Sequence, residues 1–194
     1  MKNNVLLTIV NICFNVMGGL IILSFLLLTG LLVIWHIDPE ISITYLLFPI
    51  SKIYGPNAYL GYTITESFLT GNIENKNPFS IAHVNRFSLY FIYLQSITLL
   101  LFYLLVIKES VNVITSVKLD QSFRIENFKS FKKIGKYFFI IFCLSSFYQV
   151  NTEYSNFYGV FVHPTPLILM LGAYTFAEIF REGNMLQEEV SNTI

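Results

Sequence analysis

Four apolar segments divide the chain, and the first of them is the longest. From Val5 to Trp35, 31 residues pass without a charged side chain, and Leu, Ile, Val and Phe predominate. A helix needs roughly 20 such residues to cross a hydrocarbon core about 30 Å thick. The segment also exceeds the roughly 7–15 apolar residues of a secretory signal, and it ends in Trp35, an interfacial residue type. It therefore predicts a retained transmembrane helix.

Three more apolar segments predict three more spans. The second, from Phe87 to Ile107, contains no charged residue. The third reaches spanning length only if it begins near Ile134, with Lys136 extending toward the headgroups. Because free backbone groups find no water at membrane depth, runs of this length are expected to be helices. We therefore predict an all-α membrane protein, one integral membrane domain over residues 1–194. Its four transmembrane helices lie at about 8–35, 87–107, 134–150 and 157–179.

The basic residues orient these spans. The connection from Lys108 to Lys136 contains seven basic and three acidic residues. The connection from His36 to Arg86 contains three basic and four acidic residues. Basic residues concentrate in cytoplasmic connections, so residues 108–133 are predicted to be cytoplasmic and residues 36–86 to form an outer loop. With four spans, both termini are then cytoplasmic. The predicted location is therefore a membrane, crossed several times, with the lipid bilayer as a partner.

The outer loop is too long for a simple turn. Its segment Tyr59–Thr65 has a strand-like composition, and Gly55, Pro56 and Asn57 before it are turn residues. We expect a small hairpin or a packed extracytoplasmic cap here, with the polar segment 72–78 as its exposed tip.

A basic amphipathic helix is predicted from Ser122 to Gly135. Ile125, Phe128 and Phe131 recur at three-residue steps and share one face. Such a helix lies on the inner leaflet, where each basic residue contributes roughly 1 kcal/mol of binding to anionic lipid. Two other interpretations stay open: a topology signal without further function, or a docking surface for a cytoplasmic partner. The residues predicted to contact lipid are Arg124, Lys129, Lys132 and Lys133.

Polar residues inside the spans are candidates for function because they are costly in lipid. We predict an inner-leaflet polar cluster, and Gln95 and Ser96 lie about halfway along the second span. Hydrogen bonds that fix helix packing, at roughly 0.6 kcal/mol each, are the simpler role. A proton or ion path would need a polar column that the sequence does not show. The cluster consists of Asn11, Asn15, Lys136 and Glu178.

Three histidines fall at the outer span ends, with three acidic residues on the same side. Imidazoles and carboxylates bind divalent metals, but these residues lack the local spacing of a ligand set and are weak candidates. The chain has no nucleophile motif, phosphate-binding glycine loop or dinucleotide fingerprint, so we expect no enzyme, no cofactor and no direct nucleic-acid partner. The residues are His36, His83 and His163, with Asp38, Glu40 and Glu153.

Two segments carry a resemblance to a known family. Residues 177–194 fit A-E-[VI]-F-x-x-G-x-x-L-x-E-E…T-[IV], and residues 123–135 fit F-x-x-E-N-x-x-x-[LF]-x-x-I-G. In these segments and in its span count, the chain resembles the bacterial four-span membrane proteins of domain-of-unknown-function family 2975, the YoaS-like proteins. Genes of that family often neighbour a small helix-turn-helix DNA-binding regulator. The resemblance therefore implies a protein of the bacterial cytoplasmic (inner) membrane that is a partner for such a regulator, or a sensor that acts through it.

The cytoplasmic tail, residues 180–194, is the candidate surface for that partner. It is acidic and offers an apolar contact, although fraying into water is the more common fate of a chain terminus. We expect a regulatory or sensory membrane protein. The alternatives are a small-molecule or ion-handling protein and, third, a metal-dependent membrane enzyme. The tail candidates are Arg181, Leu186, Glu188 and Glu189.

Overall fold

The computed structural model describes residues 5–37, 60–67, 84–119, 123–151 and 155–193. Within these ranges the chain is mostly helical, with four helices and three strands. In chain order the elements are α1 (Val5–Ile37), β1 (Leu60–Ser67), α2 (Arg86–Lys118), α3 (Ile125–Ser145), β2 (Phe147–Asn151), β3 (Ser155–Val162) and α4 (Pro164–Thr193).

The chain divides into two compact units, each of which we describe by itself. The first, here the helical unit, takes residues 1–23, 100–142 and 164–194. The second, here the sheet unit, takes residues 24–99 and 143–163.

Two helices, α1 and α2, are long and apolar enough to cross a membrane. Each has 33 residues, and in the most apolar 18-residue window of α1 no residue is buried. The equivalent window of α2 is 6% buried. The core helix of a soluble protein would bury its apolar side chains, because their burial is what drives folding in water. The helices predicted at these two segments are confirmed.

The third and fourth predicted spans are wrong at the residues that form strands. Helix α3 ends at Ser145, and residues 147–150, predicted as the end of the third span, lie in β2. Residues 157–162, predicted as the start of the fourth span, lie in β3, and Pro164 begins α4. Apolarity alone does not separate a short buried strand from a helix. Pro164 explains the boundary between β3 and α4, because proline lacks the N–H that a strand needs and suits the first turn of a helix.

The strands form one antiparallel sheet with the order β1-β3-β2. Strand β1 pairs with β3 over its full length, from Leu60 opposite Val162 to Ser67 opposite Ser155. The strand predicted in the outer loop is thus confirmed, but its partner is distant in sequence rather than the next strand of a hairpin. The predicted turn at residues 55–57 and the tip at residues 72–78 lie outside the described residues.

Backbone groups at the end of β2 are satisfied by the start of α2. Asn85 N donates to Asn151 O (2.8 Å), and Asn151 N donates to the hydroxyl of Ser88 (2.9 Å), a fully buried side chain. Asn85 also caps the helix, since its Oδ1 accepts a hydrogen bond from Phe87 N at 3.3 Å. The sheet edge and the helix start therefore stabilise each other.

Gln95 links α2 to the junction between α3 and β2 within the sheet unit. Its Nε2 donates to Leu144 O at 2.5 Å and to Phe147 O at 2.6 Å. The last four carbonyls of a helix have no partner in the helix, and Leu144 O is one of these. The polar residue in the middle of the second predicted span is thus a structural clamp.

We predict that Gln95→Leu lowers the free energy of unfolding by about 1–3 kcal/mol, because two carbonyls lose their donor. Denaturant unfolding in detergent, followed by circular dichroism, measures this loss. Thr98→Val is the matched control, since its hydroxyl bonds to Leu94 O of its own helix. Equal stability of the Gln95→Leu variant and the control would contradict the clamp.

Candidate functional site

Polar side chains line one face at the end of α2. Glu109, Asn112 and Ser116 are spaced by three and four residues, which places them on one side of a helix. At the start of α3, Asn127 and Ser130 share a face in the same way, and both are buried. All five residues belong to the helical unit.

These two faces bind each other through hydrogen bonds. Ser130 Oγ donates to Glu109 Oε2 (2.7 Å), and Lys133 Nζ donates to Glu109 Oε1 (2.8 Å). Asn127 Nδ2 donates to Ser116 Oγ at 3.0 Å. Only 8% of Glu109 is exposed. Both oxygens of the buried Glu109 carboxylate therefore accept hydrogen bonds from α3. Hydrogen bonds to a charged group are stronger than those between neutral groups.

Glu109 lies beyond the apolar segment 87–107, and its surroundings favour its charged form. Burial by itself raises the pKa of Glu109, but hydrogen bonds from Lys133 and Ser130, the charge of Lys133 and a hydrogen bond from Asn112 outweigh it. The net result is a pKa below the ordinary 4.5. The hydrogen bond and charge of Glu109 in turn raise the pKa of Lys133. The pair is ionised at neutral pH.

A groove of about 420 Å³ lies between the end of α2 and the start of α3. Among the described residues that line it, Leu119 is the one apolar side chain. Its charged lining residues are Glu109, Arg124, Glu126, Lys129 and Lys133. A groove of this volume and polarity can hold a small polar molecule, since ligand sites commonly measure about 300–1,000 Å³.

A different side of α3 packs on α4 through aromatic rings. The ring centroid of Phe131 lies 5.5 Å from that of Phe176 and 5.0 Å from that of Phe180. Phe123, just before α3, lies 5.8 Å from Phe180. Such aromatic pairs contribute about 0.5–1.5 kcal/mol beyond the area they bury.

Two glycines allow these aromatic contacts. Gly183 lies so close to the ring of Phe123 that a Cβ at this position would overlap it. A Cβ on Gly135 would come within 3.0 Å of the ring of Tyr174. Asn184 adds a hydrogen bond from its Nδ2 to Phe123 O at 2.7 Å. The two segments that carry the family resemblance thus pack against each other.

The four basic residues predicted to contact lipid differ from one another in the groups that surround them. Lys133 pairs with Glu109, and Arg124 Nε lies 3.4 Å from Glu126 Oε2. Lys132 Nζ lies 5.6 Å from the ring centroid of Phe128, and Lys129 forms no ion pair within the described part of the chain. Because the first turns of α3 contact both α2 and α4, they are not a separate helix with only lipid below it. Contact of these side chains with lipid stays a prediction.

The predicted intramembrane cluster is not joined by hydrogen bonds or ion pairs in the described ranges. Asn15, Lys136 and Glu178 are exposed, and Glu178 pairs with Arg181 on its own helix. Asn11 is half-buried, and its Oδ1 is buried without a hydrogen-bond partner. The structure therefore does not show these residues as one polar site.

The histidines likewise do not form a metal site in the described residues. His36 is exposed, and its Nδ1 lies 3.5 Å from the hydroxyl of Tyr90. His83, Asp38, Glu40 and Glu153 lie outside the described residues, and His163 is half-buried. Within the ranges given above, no three His, Cys, Asp or Glu residues are grouped so that they could hold a metal ion.

The tail candidates lie on the final turns of α4, which stays helical through Thr193. Leu186 is 62% exposed, and Glu188 and Glu189 are exposed as well. The tail is thus helical, whereas its binding role is untested by the geometry.

Comparison of the chain with family models, with curated proteins and with solved structures gives no match. The resemblance to the YoaS-like proteins therefore stays a prediction, and the functional argument depends on the helical unit.

Sequence reasoning missed the central residue of this unit. The charge pattern gives Glu109 only as one of three acidic residues in the basic connection 108–136. It does not indicate Asn127 or Ser130 as residues of a site. A signal was nevertheless present: a polar stripe at Glu109, Asn112 and Ser116 matches a second one at Asn127 and Ser130. Two matching polar stripes on consecutive helices predict that the stripes face each other.

We predict that Glu109→Gln lowers the free energy of unfolding at neutral pH by about 1–2 kcal/mol, because it removes a charged acceptor. The pKa of Glu109 is lower in the folded protein, so its contribution is complete above 4.5, the ordinary value, and is lost as the pH falls through the folded pKa. The difference between wild type and variant should therefore shrink in acid. Denaturant unfolding at a series of pH values measures it.

Glu126→Gln is the control for this measurement. Its carboxylate lines the same groove, but its side chain is 61% exposed and its ion pair with Arg124 contributes little. A wild-type advantage over Glu109→Gln that stays constant into acid would contradict the assignment.

We predict that Gly183→Ala destabilises the protein by about 1–3 kcal/mol, because the ring of Phe123 must move away from its position against α4. Thermal unfolding measures the effect. Gly172→Ala is the matched control on the same helix, where a Cβ meets nothing within 4 Å. The control should be neutral or up to about 1 kcal/mol more stable, since Ala favours helices over Gly. Equal effects of the two substitutions would contradict the close contact.

Proposed function

We propose that this protein is a regulatory or sensory protein of the bacterial cytoplasmic membrane that passes a state of the membrane to a cytosolic partner. The observation that supports this role is the continuity of α4. One helix runs from Pro164 to Thr193, is held near its middle by Phe123 and Phe131, and ends in an exposed tail. A displacement of its apolar part would therefore move the tail.

The exposed apolar surface of α1 supports the membrane setting. Leu6, Leu26 and Leu27 are each at least 60% exposed, and Trp35 is the one buried residue of the helix. In water such a surface would cost about 25 cal/mol for each Å² left uncovered. In a bilayer the lipid covers it at no such cost.

The strands refine the proposed topology. Open strand edges cannot lie in hydrocarbon, so we assign the sheet to the extracytoplasmic cap together with residues 85–95 at the start of α2, which bond to it. The third and fourth crossings are then α3 and α4. Helix α3 has 21 residues, but its first turns are basic, and only residues 134–145, a rise of about 18 Å, are largely apolar. A third crossing at α3 therefore requires the bilayer to be thinner here than the usual core of about 30 Å. The ammonium groups on its first turns then reach the cytoplasmic headgroups.

The tail offers a small amphipathic surface to a partner. Leu186 and Val190 are four residues apart, so they share a face, and each is 62% exposed. Glu188 and Glu189 add negative charge. An apolar groove with a basic rim is complementary to this surface, and small DNA-binding proteins such as a helix-turn-helix regulator carry basic surfaces.

The second candidate is a small-molecule-handling protein, which the polar groove between α2 and α3 favours. Transport would require that groove to continue as a polar path along the apolar segments. Labelled solute uptake into vesicles that contain the protein separates this candidate from regulation.

We predict that the full-length protein, purified from its native cells in mild detergent, retains a small DNA-binding protein that mass spectrometry identifies. Leu186→Glu or Val190→Glu should lower its recovery about tenfold or more, because each places a charge on the apolar face. Gln187→Glu, which adds the same charge beside that face, is the matched control.

Recovery that is equal for wild type, both variants and the control would remove the tail as the binding surface. Replacing single side chains is preferable to removing residues 180–194, because Phe180 packs on Phe123 and Phe131 and its loss would disturb the helical unit.

A further inference from the structure

We propose that the groove between α2 and α3 binds a phosphodiester monoanion, with Lys129 as its charged contact. The source is either the headgroup of an anionic phospholipid or a free diester of the same chemistry. The lipid source rests on the proposed membrane setting, whereas the soluble source does not.

Among the described residues that line the groove, one cation is left for a ligand. Glu109 is matched by Lys133, and Glu126 is matched by Arg124. Lys129 also lines the groove and forms no ion pair with any described residue. The described lining residues therefore sum to one positive charge, which suits a ligand with one negative charge.

The single unmatched cation makes the groove selective. A phosphomonoester carries close to two negative charges at neutral pH, so Lys129 would leave one of them unpaired beside Glu109 and Glu126. A phosphodiester carries one charge, which Lys129 pairs. The site therefore favours diesters over monoesters and over inorganic phosphate.

Neutral polar groups complete the site. The amide of Asn112 is exposed at the groove and can donate to a phosphate oxygen. The hydroxyl of Thr115 donates to Val111 O at 2.8 Å, so it remains an acceptor for a ligand hydroxyl. A volume of about 420 Å³ is large enough for a phosphoglycerol-sized group.

The position of the groove favours the lipid source. Glu109 comes two residues after the end of the apolar segment 87–107, and Lys133 comes immediately before Ile134, where the apolar part of α3 begins. In the proposed topology these residues lie at the level of the cytoplasmic headgroups. A phospholipid headgroup would reach the groove while its acyl chains stay in the bilayer.

The test uses the full-length protein in nanodiscs of phosphatidylcholine, which has no net charge. One series replaces part of this lipid by phosphatidylglycerol, and a second adds soluble glycerophosphoglycerol to the neutral discs. A ligand that binds the folded state raises the midpoint of thermal unfolding by mass action, and its concentration dependence gives the apparent affinity. Inorganic phosphate serves as the monoester-like probe.

The variants separate a site from diffuse attraction. Lys129→Gln removes the proposed contact, and Lys132→Gln removes an equal charge three residues away, beside Phe128 and outside the groove. We expect Lys129→Gln to weaken the apparent affinity about fivefold, as for the loss of one basic residue near anionic lipid. Lys132→Gln should leave the affinity close to that of wild type.

Each outcome decides the proposal. Stabilisation by phosphatidylglycerol alone indicates the lipid headgroup, and stabilisation by glycerophosphoglycerol as well indicates a free diester. Equal losses in the two variants, a preference for inorganic phosphate, or no response to either diester would overturn the site. A protein that fails to enter nanodiscs would contradict the membrane setting, while the soluble diester would still test the groove in detergent.

Discussion

The carboxylate of Glu109 is the constraint on which the helical unit depends. A charge with 8% exposure is tolerated only when its oxygens are bonded, and here Ser130 and Lys133 supply both bonds from α3. This requirement fixes the rotation of α3, because Ser130 and Lys133 must point at α2. With this rotation, Phe131 lies on the other side of α3 and contacts Phe180 of α4. One ionised group in this way orients three helices.

The sequence predicted the helices at 5–37 and 86–118 well, since long uncharged apolar runs have few other solutions. It also predicted a strand near residue 60. It failed at Phe147–Val150 and Phe157–Val162, where an apolar run of aromatic and β-branched residues fits a strand as well as a helix. The pairing of β1 with β3 could not be predicted, because register between distant segments depends on tertiary contacts.

The candidate site, like the fold, was predicted from the sequence only in part. The basic residues at the start of α3 are predicted to contact lipid, and three of them, Arg124, Lys129 and Lys133, line the groove. Their individual partners were not predictable, because periodicity alone does not distinguish Lys133, which pairs with Glu109, from Lys129, which does not. Resemblance pointed to residues 123–135 and 177–194 as separate motifs. The structure joins them through Phe123, Phe131 and Phe180 into one packed contact, which gives both motifs a common structural reason.

The strand order of the sheet has a consequence for biosynthesis. The central strand, β3, is the last to leave the ribosome, whereas β1 precedes it by the whole of α2 and α3. At about 5–20 residues per second, β1 therefore waits on the order of ten seconds for its partner. During that interval its backbone N–H and C=O groups must be hydrated or shielded by a chaperone. Translation pauses before residue 155 would lengthen this vulnerable period.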